Sequence, residues 1–324
     1  MAEIPVRYRS PDEDSGRWSA LRFRPDDIVI TTRSKSGTTW MQMLCALLIF
    51  GRAELPRPLR ELSPWLDWLV NPLDEVLASL EAQTHRRFIK THTPLDGLPI
   101  RDDVSYITMA RHPLDMALSL HHQSLNIDRQ RVRQLTQAAT AGPAEPQAEA
   151  TATTTPTTQA DQPDEPATEP SNDAETGDPA HWLRTWIAWR GEPARRLDSL
   201  PGVLHHLSLA WAIRDRPNMI LVHFDDLLAD LPREMARLAE GLGIDIAEPD
   251  LRELSEAASF ASMKASSAML VPDGLGVLKS SSAFFRAGRS GTAAEILDPV
   301  DLEAYHRRAA ELAGPDLLAW LHRH

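Results

Sequence analysis

Asp27-Ile28-Val29-Ile30-Thr31-Thr32-Arg33-Ser34-Lys35-Ser36-Gly37-Thr38-Thr39-Trp40 joins two different hydrophobic patterns. Ile28, Val29, Ile30 and Thr31 are four branched residues in a row, which suits a strand covered on both faces. Trp40 to Phe50 (WMQMLCALLIF) is apolar enough for a buried helix. Between them lie Lys35, Gly37 and several hydroxyl side chains. The start of a helix presents unpaired backbone N–H groups and a positive dipole end, so a turn of this kind attracts phosphate or sulfate. It is not the P-loop of nucleotide triphosphatases. That motif, GxxxxGK[ST], puts its lysine after the second glycine. Here Lys35 comes two residues before Gly37, and no earlier glycine opens the loop.

Three more strand-like runs follow, each ending at a polar group. Arg87-Phe88-Ile89-Lys90-Thr91-His92 leads into Thr93-Pro94. Val104 to Ala110 ends at Arg111-His112-Pro113, and Pro113 suits the first position of a helix that carries Ser119. Asn218 to Phe224 is followed by Asp225-Asp226, which reads as a helix cap. Helical patterns separate the runs: Leu73–Glu81, a stretch with Trp182, Trp186 and Trp189, Leu207–Ile213, Pro232–Leu242, and two near the C-terminus. Strands alternating with helices predict an α/β fold, a doubly wound parallel sheet flanked by helices. Such sheets bind ligands outside the C-terminal ends of their strands. The loops of Lys35, of Lys90 and His92, and of Arg111 all fall there.

The chain has 324 residues, enough for one large α/β core. Its longest apolar run, Met43 to Phe50, is far short of the ~20 residues that span a bilayer. The N-terminus lacks an apolar signal region. The single cysteine, Cys45, cannot form an internal disulfide. A cytoplasmic location without membrane insertion is expected. Nine acidic residues and no Lys or Arg lie between Gln134 and Ala180; removing their charge from the net −12 leaves −3. The remainder is near neutral and offers no broad basic face for nucleic acid. Residues 138–179 are Ala, Thr, Pro, Gln, Asp and Glu with almost no large apolar side chain, so they read as a low-complexity, disordered insertion in a single domain spanning 1–324.

The order Lys35-Ser36-Gly37-Thr38-Thr39-Trp40 resembles the phosphosulfate loop of cytosolic-type sulfotransferases, bacterial forms included, that use 3′-phosphoadenosine 5′-phosphosulfate (PAPS). The Lys90-Thr91-His92 segment, the Arg111-x-Pro113-x-Asp115-x-Ala117-x-Ser119 helix and the strand from Arg216-Pro217-Asn218 to Asp226-Leu227 follow in that family's order. So do Ser259-Phe260-Ala261-Ser262-Met263 and Phe284-Phe285-Arg286-Ala287-Gly288. The resemblance covers about residues 25–292 apart from the insertion. It implies a P-loop-kinase-like nucleotide fold. It also implies PAPS as sulfuryl donor, 3′,5′-bisphosphoadenosine (PAP) as product, and no metal. By resemblance Lys35 and Lys90 are catalytic lysines and His92 is the general base. Ser36, Gly37, Thr38, Thr39 and Trp40 bind the phosphosulfate; Arg111, Ser119, Arg286 and Gly288 bind the 3′-phosphate. Phe260 and Met263 lie near the adenine, with Phe224 and Phe285 also at the cofactor. The chain departs from the family in three places. Arg33-Ser34 replace a usual Tyr-Pro, Phe224 stands where a tyrosine is common, and Gly291-Thr292-Ala293-Ala294 replaces Gly-Asp-Trp-Lys.

The chemistry fits these residue types. Sulfuryl transfer, like phosphoryl transfer, relies on positioning and charge stabilisation. A lysine can neutralise the leaving phosphate, and an imidazole can take the proton of an acceptor hydroxyl. The expected partner is a small-molecule acceptor, through a hydroxyl or an amine, and a homodimer is open. Trp65, Trp68, His121, His122 and Phe50 are candidate acceptor-pocket residues. His121-His122 and His205-His206 do not predict a metal site, because adjacent helix residues diverge by about 100°. Two rival readings stay open: a P-loop-like nucleotide kinase or NTPase, which needs Mg²⁺ ligands, and a catalytically silent nucleotide-binding protein.

Overall fold

The computed structural model of the chain describes residues 5–140, 177–271, 275–286 and 288–323. In chain order the elements begin with β1 (Ile28–Thr31), α1 (Thr38–Phe50), α2 (Leu59–Leu62), α3 (Leu73–Ala82), β2 (Phe88–Thr91) and β3 (Ser105–Ala110). Then come α4 (Pro113–Asn126), α5 (Arg129–Thr140), α6 (Pro179–Ala188), α7 (Leu200–Ala212), β4 (Met219–His223), α8 (Phe224–Ala229) and α9 (Leu231–Gly241). The chain continues through α10 (Glu248–Ala257), α11 (Phe260–Ala265), α12 (Ser267–Leu270), α13 (Pro299–Leu312) and α14 (Pro315–Leu321).

The four strands form one parallel sheet in the order β2-β1-β3-β4. Every residue of β1 is buried, as its branched side chains require. Ile28 and Ile30 face one layer, with Met41 and Leu44 of α1 and Met235 and Leu238 of α9. Val29 faces the other, with Leu66, Leu80 of α3 and Ala210 of α7. Helices therefore cover both faces, the doubly wound arrangement expected from the strand–helix alternation. Register pairs Thr31 with Thr91, and Ala110 with His223, so the strand ends that carry the functional loops lie along one edge. At the opposite end Arg87 Nε donates to Asp27 Oδ1 at 2.8 Å, and both side chains are buried. This pair ties the start of β2 to the start of β1.

Two sequence expectations need correction. The insertion does not begin at Ala138 or end at Pro179. Helix α5 runs to Thr140, because Val132 and Leu135 pack on the core. Pro179 opens α6, and Asp178 caps it by accepting from Ala180 N–H at 3.0 Å. Residues 141–176 lie outside the described residues. Asp225 and Asp226 do not cap α8 either. His223 occupies the cap and accepts from Asp225 N–H at 3.2 Å, while the two acids sit in the first turn, where a negative charge suits the helix dipole.

Candidate active site

The turn between β1 and α1 is held in a restricted conformation. Lys35 has φ +63° and Gly37 has φ +104°. The left-handed backbone at Gly37 favours glycine, and a Cβ there would lie 2.4 Å from Met109 Cε, so the tip of Met109 would have to move. Gly37 leads directly into α1, whose start has no side-chain cap. Its first-turn N–H groups therefore face the turn without an internal side-chain acceptor. Thr38 Oγ1 is buried and has no hydrogen-bond partner, which among the described residues is an unmet donor at the mouth of the helix. A phosphate or sulfate oxygen is the chemistry this arrangement fits.

Lys35 points across the turn to α4. Its Nζ donates to Gln123 Oε1 at 3.3 Å and lies 4.5 Å from the Phe284 ring centre. Arg111 approaches from the end of β3. It is 8% exposed; Nη2 donates to Arg289 O at 2.8 Å, and the guanidinium sits 4.4 Å over Phe224. Arg111 Nε is a second buried donor without a partner. Burial, and then the cations of Arg111, Lys90 and Arg286, lower the Lys35 pKa to about 8. An anion bound among these groups would relieve that crowding.

The other predicted residues flank this cluster. Ser36 is buried, Thr39 and Ser119 are half-buried, and Arg286 is exposed. Trp40 is buried and donates from Nε1 to Ala258 O at 2.9 Å, with its ring 5.3 Å from Phe224. Phe260 and Phe285 meet edge to face at 6.1 Å, and Met263 is buried beside them in the same core. Gly288 has φ +59°, and a Cβ there would lie 2.5 Å from the Phe260 ring.

Lys90 and His92 meet at Trp65. Lys90 Nζ lies 3.8 Å from the Trp65 ring centre, and the His92 ring is 4.7 Å from it, edge on. Burial is the main cause that lowers Lys90 to about 8, while Glu13 and Asp67 oppose it. His92 is buried, and its Nδ1 bonds to the carbonyl of Thr32. A carbonyl only accepts, so Nδ1 carries the hydrogen and Nε2 keeps its lone pair. Burial, then Lys90 and Arg33, push the His92 pKa well below its ordinary value, so the ring stays neutral.

Beside Trp65 a cavity of about 330 Å³ reaches from Thr39 and Lys90 to Leu270 and Leu275. Trp65 and Trp68 stack at 4.9 Å on its wall, and Arg60, Glu61, Asn71 and Glu75 supply polar groups. Phe50 does not line this cavity; its ring packs 5.0 Å from His85. His121 is buried with its ring 5.3 Å from Trp182, and neither it nor His122 lines the cavity.

Several residues here were not foreseen. Arg33 is 3% exposed, donates to the carbonyl of His92 and pairs with Asp198. Asp67 is buried and accepts from Thr93 Oγ1 at 2.6 Å and from Thr91 Oγ1, the two neighbours of His92. Asp115 accepts from Gly291 N–H at 2.7 Å and Ala293 N–H at 3.0 Å, holding the segment that follows Gly288. Glu13 reaches the same region from the N-terminal segment, and burial beside Asp67 raises its pKa to about 8. The one signal in the sequence was the departure of Arg33-Ser34 from the family's usual Tyr-Pro.

The parallel sheet, the uncapped helix start with its neighbouring cations, and a neutral imidazole against the Trp65 wall of a cavity fit a group-transfer enzyme that handles an anionic donor. A family model for the sulfotransferase domain matches residues 25–314, and the chain belongs to that family of sulfuryl-transferring enzymes. A glycolipid sulfotransferase of Mycobacterium bovis is 38% identical over 329 residues, covering 98% of this chain and 94% of that one. Retinol dehydratase solved with androsterone and the inactive cofactor PAP is similar in fold, with TM-score 0.64, 20% identity and coverage of 93% and 86%. A mouse sulfotransferase solved with PAP has TM-score 0.61, 17% identity and coverage of 95% and 93%. Among the described residues no helix is long and apolar enough to cross a membrane, and no group of three or more His, Cys, Asp or Glu is arranged to hold a metal.

Proposed function

We propose that the chain transfers the sulfuryl group of PAPS to a hydroxyl of a small-molecule acceptor, and that the acceptor is a glycolipid. One observation carries the reading. Trp65 touches Lys90 and His92 together and lines the cavity that also reaches Thr39 of the anion turn. Base, cation, donor loop and acceptor space thus converge. The unpartnered hydroxyl of Thr38 and the unpartnered Nε of Arg111 fit a donor that carries two anionic groups.

In this reading Lys35, Ser36, Gly37, Thr38, Thr39 and Trp40 hold the phosphosulfate through backbone N–H, hydroxyl and ammonium groups. Arg111, Ser119, Arg286 and Gly288 hold the 3′-phosphate. Phe224, Phe260, Met263 and Phe285 pack toward the adenine. The donor supplies an electrophilic sulfur and a stable leaving phosphate. Lys35 and Lys90 stabilise negative charge, and His92 Nε2 takes the acceptor proton, an effect of typically ~10²–10⁴-fold. The glycolipid reading is supported by the M. bovis relative and by the stacked Trp65–Trp68 wall with its polar rim. A cytoplasmic location is part of the proposal, supported by the lone, buried, unpaired Cys45. So is a single catalytic domain interrupted by residues 141–176.

The test incubates the enzyme with sulfur-labelled PAPS and a panel of glycolipids, phenols and alcohols in the presence of EDTA. Label should move to a glycolipid hydroxyl. Transfer confined to phenols would overturn the acceptor class, and no transfer at all would overturn the reaction. Deleting 141–176 should leave Tm within about 2 °C, since that composition offers little apolar surface to bury.

A further inference from the structure

Two hydrogen bonds cross between the anion turn and the segment of His92. The His92 side chain donates from Nδ1 to Thr32 O, and the Arg33 side chain donates from Nη1 to His92 O. Each side chain therefore holds the other strand's backbone. Arg33 Nη2 is committed to Asp198, whose own carbonyl accepts Trp186 Nε1 at 2.8 Å. Arg33 Nε is buried without a partner, so the two outer nitrogens carry the whole link. The carbonyl of Arg33 accepts Ser36 N–H at 3.2 Å, so the same residue closes the turn that bears Lys35. A planar guanidinium addresses a carbonyl and a carboxylate at once from one side chain in a fixed geometry, which a flexible ammonium does not.

We infer that Arg33, anchored by Asp198, is a positioning residue that fixes the orientation and tautomer of His92 relative to the donor turn. This rests on the reading of His92 as general base. Around the imidazole stand Lys90 from β2, Arg33 from the turn, His206 from α7 and the Trp65 ring. Asp67 is turned to the hydroxyls of Thr91 and Thr93 on either side of it. The cations oppose protonation of His92. Removing Arg33 removes one of them and releases the carbonyl of His92 from its only side-chain donor among the hydrogen bonds described.

The test uses nitrogen-15 histidine NMR on the full chain, with His92 assigned by comparison with His92→Gln. In the natural protein His92 should give the pattern of a single neutral tautomer protonated at Nδ1. In Arg33→Met it should show mixed tautomers and a raised titration midpoint, since one opposing cation is gone. Turnover should fall about 10–100-fold, as a misplaced catalytic group does. PAP affinity by calorimetry should stay within about threefold, a loss of well under 1.4 kcal/mol. Arg33→Lys keeps the charge but not the fork, so it should mix the tautomers without moving the midpoint. Asp198→Asn should give a smaller change, and the double variant should be no worse than Arg33→Met, as expected for residues in one network. If Arg33→Met fails to bind PAP, Arg33→Lys and Asp198→Asn decide the matter. An unchanged His92 spectrum in these variants, or losses that simply add, would overturn the inference. The base assignment fails separately, if His92→Gln keeps its turnover.

Discussion

In the proposed reading, the donor and acceptor sides of the site are made of different kinds of structure. The donor side is a strand, a six-residue turn and the start of a 13-residue helix, fixed by a sheet ladder and by backbone N–H groups. The acceptor side is assembled from the short helix α2, the irregular segment 63–68, the side of α3, and residues Leu270 and Leu275. On that reading the chemistry is held by elements that tolerate little change, while acceptor choice rests on short helices and loops that can vary without disturbing the sheet.

The strongest way to break this division is His92→Ala. It should lower turnover by ~10²–10⁴-fold and leave PAP affinity near normal by calorimetry. Equal loss of both would mean that the imidazole holds the two sides together and does not act on the acceptor. Gly37→Ala probes the donor side alone. The unfavourable backbone costs about 1–2 kcal/mol, and the tip of Met109 must also move aside. Tm should drop and PAP affinity should fall at least tenfold, a change that calorimetry and thermal melts both read.

The pH dependence separates catalysis from stability. Lys35 and Lys90 are both lowered to about 8 by burial, and both must be protonated to stabilise anionic charge. The kcat/KM profile should therefore decline as pH rises through about 8. Stability should move the opposite way. Unfolded lysines hold their protons up to about 10.4, so between roughly 8 and 10 the unfolded chain binds more protons and folding gains as pH rises. A melting temperature that falls together with activity across this window would refute the burial of these lysines. The smallest effect belongs to the acceptor wall. Trp68→Ala should raise acceptor KM about tenfold, near the cost of losing one aromatic contact, while PAP affinity and the decline above pH 8 stay in place. A shift in PAP affinity would show that the two sides are not independent.

What could be read from the sequence follows the same boundary. The four strands and the helix after Lys35 were legible because each depends on neighbours a few residues away, and the parallel order then puts the loops of Lys35, His92 and Arg111 at one end of the sheet. Helix α5 was not, since its polar composition hides the two side chains, Val132 and Leu135, that dock it. The work of Arg33 was hidden for another reason. Its partners are 59 and 165 residues distant, and nothing local distinguishes a buried guanidinium from a solvated one. Asp115 reads as an ordinary first-turn acid, although its carboxylate collects three donors from Gly291, Thr292 and Ala293. The Trp65–Trp68 pair could be named in advance, but its pairing with Lys90 depended on the return of β2 beside β1.

The pairing of Thr31 with Thr91 has a consequence of its own. The lysine turn and the histidine leave the sheet from neighbouring rungs, so the gap between them begins as one strand spacing, about 4.8 Å. The peptide backbone acts as a gauge block. If the cavity holds the acceptor, side-chain exchanges in its walls would alter which molecule enters, but the depth at which the hydroxyl meets the transferred group would be cut by the ladder itself. Under the proposed reading, acceptors of quite different bulk would be sulfated at the same distance from the floor of the pocket.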